Sequence, residues 1–245
     1  MTEIATTAPP LTALVTGATA GLGKAIALRL AQDGMRVIVV GRDAARGEAV
    51  VKEIEAEGGE ASFIAADLSD PADIERLAFE AGEVDVLVNN AGFSIWGPTE
   101  KTSAEDFDAM FASNVRAPYL LVGAFAPAMA TKGAGSIINI SSMAGRIGLP
   151  NGAAYGATKA ALASLAQGWT AEYSPRGVRV NAVAAGPIYT RPDARQLFDR
   201  LGATTALQRA AEPSEIAEVV AFLASPRASY VTGAIVAADG GRTAI

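Results

Sequence analysis

Short apolar segments rich in β-branched residues alternate with longer segments of helical spacing along nearly the whole chain, and this alternation restricts the fold more than any other feature. The strand-like segments are residues 11–16, 37–40, 62–65, 86–88, 137–140, 178–183 and 234–237, bounded by Gly, Asn or Asp. Between them, residues 22–33, 44–57, 71–81, 103–131, 152–173 and 213–224 carry helical patterns. Near-continuous apolar strands are those a sheet buries on both faces. The pattern predicts an α/β fold, a doubly wound parallel sheet of about seven strands with helices on both faces. Ligands of such sheets bind beyond the carboxyl ends of the strands.

The 245 residues show no repeat, low-complexity tract or linker, so one domain over 1–245 is expected. The stretch 186–212 breaks the alternation with Pro187, Pro192 and several charges, and is read as a lid of small helices over the site. Residues 4–23 are uncharged but broken by Pro9, Pro10, Thr and Gly, with no basic segment before them; neither signal peptide nor membrane span is expected.

A net charge of −6 without a Lys/Arg run removes the footprint that nucleic acid or an anionic membrane needs, which leaves a small-molecule partner. Cysteine is absent, in keeping with a cytoplasmic location. Histidine is absent too, so Ser-His-Asp hydrolysis, Cys-His catalysis and the usual zinc or facial-triad iron sites are excluded, and no metal is expected. Acid/base work falls to Tyr, Lys, Asp or Glu.

Thr16-Gly17-Ala18-Thr19-Ala20-Gly21-Leu22-Gly23 follows the first strand and opens a helix. Glycines there let the backbone turn tightly and approach a pyrophosphate, whose charge meets amides and the positive end of the helix. The second strand ends Val40-Gly41-Arg42-Asp43. A carboxylate at this place accepts bonds from the adenosine ribose and repels a 2′-phosphate, whereas an Arg attracts it. Gly41 in the acid's position and Arg42 after it favour NADP(H), although Arg42 can also be a solvated residue where a helix begins, with Asp43 its cap. Asp67, before Leu68, can accept from an adenine amino group or cap the turn before Pro71. Asn89-Asn90-Ala91-Gly92 follows the fourth strand, where the crevice belongs, yet these are also ordinary turn residues.

Ser141 and Ser142 end the fifth strand, and Tyr155-Gly156-Ala157-Thr158-Lys159 opens an Ala-rich helix. A spacing of four puts Tyr155 and Lys159 on one helix face. Free tyrosine is a poor base at neutral pH unless a nearby cation stabilises the phenolate, and Lys159 can supply that cation. A Tyr packed on the core and a Lys in solvent is the alternative.

With these motifs in order, the chain resembles a single-domain short-chain dehydrogenase/reductase over almost its whole length, which implies a Rossmann-type sheet and an oxidoreductase. The resemblance implies that Tyr155 is the general acid/base, that Lys159 holds the nicotinamide ribose and lowers the Tyr155 pKa, and that Ser142 hydrogen-bonds the substrate oxygen. It adds Asn114 to a proton relay. It assigns the cofactor to Gly17, Thr19, Gly21, Leu22, Gly23, Arg42, Asp67, Leu68, Asn90, Ala91 and Gly92, with Gly186, Ile188 and Thr190 at the nicotinamide end. Ala185-Gly186 stands where the family usually has Pro-Gly.

Phe93, Ser94, Ile95 and Trp96, with Ala144, Leu149, Tyr189 and the lid, suggest a moderately apolar pocket, Ser94 and Trp96 contacting substrate beside Ser142 and Tyr155. The wider resemblance is to 3-oxoacyl-carrier-protein reductases and carbonyl reductases. An acidic carrier protein would need a basic landing patch, for which only Arg116, Lys132 and Arg146 offer themselves, so a small free ketone or aldehyde edges ahead. A redox-silent NADP(H) sensor has no need of Ser142, Tyr155 and Lys159, and a sugar-nucleotide epimerase usually brings a larger C-terminal domain. The family resemblance also implies a homotetramer.

Overall fold

The computed structural model describes residues 9–245. The first residues of the stretch weighed as a leader or span, 4–8, lie outside the described residues. Seven strands appear where the alternation placed them: β1 Thr12–Thr16, β2 Arg36–Gly41, β3 Glu60–Ala65, β4 Val86–Asn89, β5 Gly135–Ser142, β6 Val178–Ala185 and β7 Ile235–Ala238. All pair in parallel, in the order β3-β2-β1-β4-β5-β6-β7. The strand order reverses between β1 and β4, and a crevice opens at such a switch point.

The helices are α1 Gly21–Gln32, α2 Ala44–Ala56, α3 Pro71–Ala81, α4 Ala104–Phe111, α5 Ala117–Lys132, α6 Ala153–Tyr173, α7 Arg195–Gly202 and α8 Pro213–Ala224. Their starts are written locally. The Asp43 carboxylate accepts from the Arg46 amide at the head of α2, and Asp70 does the same for α3 from Ala72, with Pro71 in the first turn. Side chains alternate across each strand. Val15, Val39, Val88, Ile138 and Val183 face α1, α2 and α8, while Leu14, Ile38, Leu87, Ile137 and Val180 face α3, α5 and α6.

One expected helix is not continuous. Residues 103–131 read as a single helix, but α4 and α5 are joined by a π-helical turn, Ala112–Arg116, whose extra residue re-aims the side chains it carries. The expected lid is a loop holding a short 3₁₀ turn, Pro192–Ala194, and α7; a bridge between Ile188 and Ala211 closes its neck. Among the described residues, no helix is long and apolar enough to cross a membrane.

Candidate active site

The turn after β1 is made by glycine. Gly17 has φ +64° and Gly21 +53°, and a β-carbon at Gly23 would collide with the Gly17 carbonyl. The first amides of α1 have no intrahelical acceptor, and no side chain caps them, so they present a positive end. The neighbouring loop is tied on by Thr16, whose hydroxyl accepts from the amides of Asn90 and Ala91, each at 3.0 Å. Asn90 Nδ2 donates back to the Thr16 carbonyl at 2.8 Å. Asn89 points instead into the sheet and donates to Asn139 at 2.9 Å.

These turns floor a cleft of about 820 Å³. Of the residues expected at the cofactor, Gly17, Thr19, Gly21, Leu22, Gly23, Arg42, Asp67, Leu68, Asn90, Ala91, Gly92 and Thr190 all line it. Where β2 and β3 end, Arg42 bears on the Asp67 carboxylate electrostatically, and Arg46 from the first turn of α2 adds a second guanidinium. Only the Nε of Arg46 is engaged, at 2.9 Å from Asp43, among its described bonds. Asp67 Oδ1 accepts from the Ser69 amide and hydroxyl, at 3.0 and 2.8 Å, and these bonds hold its carboxyl below the usual range. The turn-capping role weighed for Asp67 is thus realised on that oxygen.

The second group gathers where β5 meets α6. Gly145 and Gly156 let the turn Met143–Gly145 lie directly on the helix: a β-carbon at Gly145 would stand 2.7 Å from the Ala160 amide nitrogen, and one at Gly156 2.6 Å from the Ala144 carbonyl oxygen. Ser142 is thereby brought beside Tyr155. Its Oγ accepts from the Ala144 amide at 3.2 Å. Burial pushes the Tyr155 phenol above its ordinary value, and the Ser142 hydroxyl opposes that shift. Trp96 covers the tyrosine ring, with centroids 5.7 Å apart.

Lys159 is 5% exposed; its Nζ donates to the Ile140 carbonyl at 2.8 Å and stands 5.9 Å from the Tyr155 ring centre. Burial lowers the ammonium to about 8. Nζ also borders Gly92, where a β-carbon would lie 3.5 Å away, so Lys159 sits between the tyrosine and the cleft loop. The π turn aims Asn114 into the same group. Its Oδ1 accepts from the Phe93 amide at 3.0 Å, and its Nδ2 donates to the Phe93 carbonyl at 2.9 Å and to Thr158 Oγ1 at 3.1 Å. Thr158 in turn donates to the Tyr155 carbonyl at 2.7 Å.

Other expected residues fall differently. Gly186 and Ile188 do not line the cleft; the Gly186 amide donates to Ala238, and Ile188 is buried at the lid neck. Ser94 is exposed beside Trp96. Tyr189 turns to α7, its hydroxyl donating to Asp199 at 2.6 Å with Arg195 stacked over its ring. The cleft also takes in Arg46, Ala66, Ser69, Ala109 and Ser113, which sequence reasoning did not assign to it. For Arg46 the signal was present: it follows Arg42 by four residues on the side where a phosphate was expected.

The family model of enoyl-(acyl carrier protein) reductase matches residues 17–243. The chain is 37% identical over 237 residues to the 3-oxoacyl-(acyl-carrier-protein) reductase FabG of Staphylococcus epidermidis, covering 94% of this chain and 97% of that protein. A solved short-chain dehydrogenase/reductase family protein superposes with a TM-score of 0.91 at 47% identity, over 96% of this chain and 98% of its own. A blue fluorescent protein from a metagenomic library, solved in complex with NADPH, superposes with 0.88 at 38% identity, over 95% and 97%.

Proposed function

This chain belongs to the short-chain dehydrogenase/reductase family of nicotinamide-dependent oxidoreductases, and from that premise we propose that it is an NADP(H)-dependent reductase of small ketones or aldehydes, acting reversibly. The observation that carries the reading is the place of Lys159, buried between the Tyr155 ring and the Gly92 loop of the cleft, which joins the proton-transfer group to the nucleotide site.

The cleft fits the cofactor. Its glycine turn would be filled by any β-carbon at Gly23, the open amides of α1 suit a pyrophosphate, and Arg42 and Arg46 stand without a carboxylate at position 41. That set favours a 2′-phosphate and therefore NADP(H), the form bound in one of the similar structures. When bound, the nicotinamide supplies or takes the hydride.

The chain's own residues handle the oxygen. Ser142 and Tyr155 direct hydroxyls to the substrate carbonyl, and Tyr155 donates its proton to the developing alkoxide. The nearby Lys159 ammonium favours the phenolate left behind, against the burial that disfavours it. Asn114, held on Phe93 and Thr158, fixes the backbone around this group as a relay member. Trp96, half exposed above Tyr155, walls the substrate side.

A second reading, reduction of a 3-oxoacyl group delivered by a carrier protein, draws on the names of relatives. Against it, Lys132 is bound to Asp85 at 2.6 Å and Arg116 to the Ser69 carbonyl, which leaves Arg146 of the three candidate landing cations. A homotetramer in the cytoplasm is the proposed assembly and place; Tyr119, exposed on α5, suits a helix-to-helix contact between subunits. The test is loss of reduced-nicotinamide absorbance with ketones, aldehydes, and 3-oxoacyl groups on small thiols and on carrier protein. Turnover of free carbonyls at least equal to that of carrier-bound substrate supports the first reading. Turnover confined to the carrier-bound substrate selects the second, and none on any substrate overturns both.

A further inference from the structure

Arg116 closes the π turn that carries Asn114, yet it faces the other way. Its Nη2 donates to the Ser69 carbonyl at 2.6 Å, across 47 positions of sequence. Ser69 belongs to the loop 66–69 after β3, which walls the adenosine end of the cleft. Ala109 of α4 and Ser113 of the π turn line the same cleft. One guanidinium therefore ties two of its lining segments together. Ser69 is also the residue whose amide and hydroxyl hold the Asp67 carboxylate, so the clamp fixes the loop at the point where its own hydrogen bonds converge.

We propose that Arg116 is a positioning residue for the cofactor: by joining the Ser69 carbonyl to the π turn it sets the width of the cleft over the adenosine half of NADP(H). The inference rests on the cofactor reading above. It assigns Arg116 to binding and away from proton transfer, because Asn114 is anchored separately by three hydrogen bonds to Phe93 and Thr158. A main-chain acceptor needs one donor rather than a planar fork, so lysine can replace arginine here in part.

The experiment compares the full-length parent with Arg116→Met, which keeps an aliphatic stem, and Arg116→Lys. Dissociation constants are measured by fluorescence for NADPH, and by competition for 2′,5′-ADP and for nicotinamide mononucleotide. Loss of an arginine-to-carbonyl bond at an exposed site is expected to weaken NADPH and 2′,5′-ADP alike by about five- to tenfold in Arg116→Met. Arg116→Lys should recover most of that loss. Nicotinamide mononucleotide affinity should not move, and kcat at saturating NADPH should hold within about twofold while KM for NADPH rises. Equal affinity of parent and Arg116→Met for 2′,5′-ADP overturns the inference and leaves the cofactor reading standing, as does a fall in kcat without a rise in KM. Failure of the parent to bind NADPH overturns both.

Discussion

The Thr19 methyl lies 2.5 Å from where a β-carbon on Gly41 would stand, so the side chain of the phosphate turn occupies the space an acid at the end of β2 would need. The NADP(H) preference proposed above then has a steric as well as an electrostatic basis. Gly41→Asp alone should weaken both NADPH and NADH, since the new side chain must displace Thr19. Gly41→Asp with Thr19→Ala makes room for the carboxylate, which binds the ribose hydroxyls and repels a 2′-phosphate. The double variant is expected to shift the ratio of kcat/KM for NADPH over NADH by about 10- to 100-fold toward NADH, the range for losing one charged hydrogen bond and gaining a repulsion. A single variant that already prefers NADH would show that Thr19 is no barrier.

Tyr155→Phe keeps the ring that Trp96 covers and removes only the hydroxyl beside Ser142. Positioned proton transfer is worth about 10² to 10⁴ in rate, so kcat should fall by that amount while NADPH affinity holds within about twofold. Steady-state turnover and NADPH fluorescence titration on the same preparation check the two halves separately.

Lys159 couples activity to stability. Its ammonium titrates at about 8 in the fold and near the ordinary 10.5 once unfolded. Between those values the unfolded chain binds the proton and the folded chain does not, so stability rises with pH across the window; below about 8 the full cost of burying the cation is present. That cost is about 3 kcal/mol, partly offset by the bond to the Ile140 carbonyl. Lys159→Met should therefore be more stable than the parent at neutral pH by about 1–2 kcal/mol, lose the upward slope toward about pH 10, and lose turnover. Urea unfolding at both pH values measures it; an unchanged slope in the variant would show that another group is responsible.

The sheet was legible because its signal is local: each strand announces itself by a β-branched run and each helix by its own period, with Asp43 and Asp70 marking starts. The glycine turn was legible for a related reason, since Gly17 answers to its own positive φ and Gly23 to the Gly17 carbonyl six residues back. What was hidden depends on which partners the fold supplies. Residues 104–132 have the composition of one helix, and the π turn within them reflects the reach of Asn114 to Phe93 and Thr158, 21 and 44 positions off. Arg46 was legible only as a residue one helical turn beyond Arg42, and its pairing with Asp43 is what the structure adds. The bond from the Tyr189 hydroxyl to Asp199 depends on α7, which the irregular stretch 186–212 does not announce.

Gly145 offers a test of how finely the Ser142 turn is set. No ligand group is lost in Gly145→Ala, yet the new methyl would stand 2.7 Å from the Ala160 amide nitrogen and 2.8 Å from the Lys159 carbonyl carbon. Both are backbone atoms of α6, so neither can swing aside as a side chain would; the turn Met143–Gly145 must lift from the helix and carry Ser142 away from Tyr155. The cleft residues proposed to bind the nucleotide through the glycine turn and the loops after β2, β3 and β4 should be undisturbed. Because a displacement of this kind acts on alignment, Gly145→Ala is expected to lower kcat by about 10²-fold with NADPH affinity held. Stability should drop by about 1–3 kcal/mol from overpacking. Turnover at the parental rate would show that the Ser142 turn adjusts freely and that its contact with α6 does not set the geometry of the proton transfer.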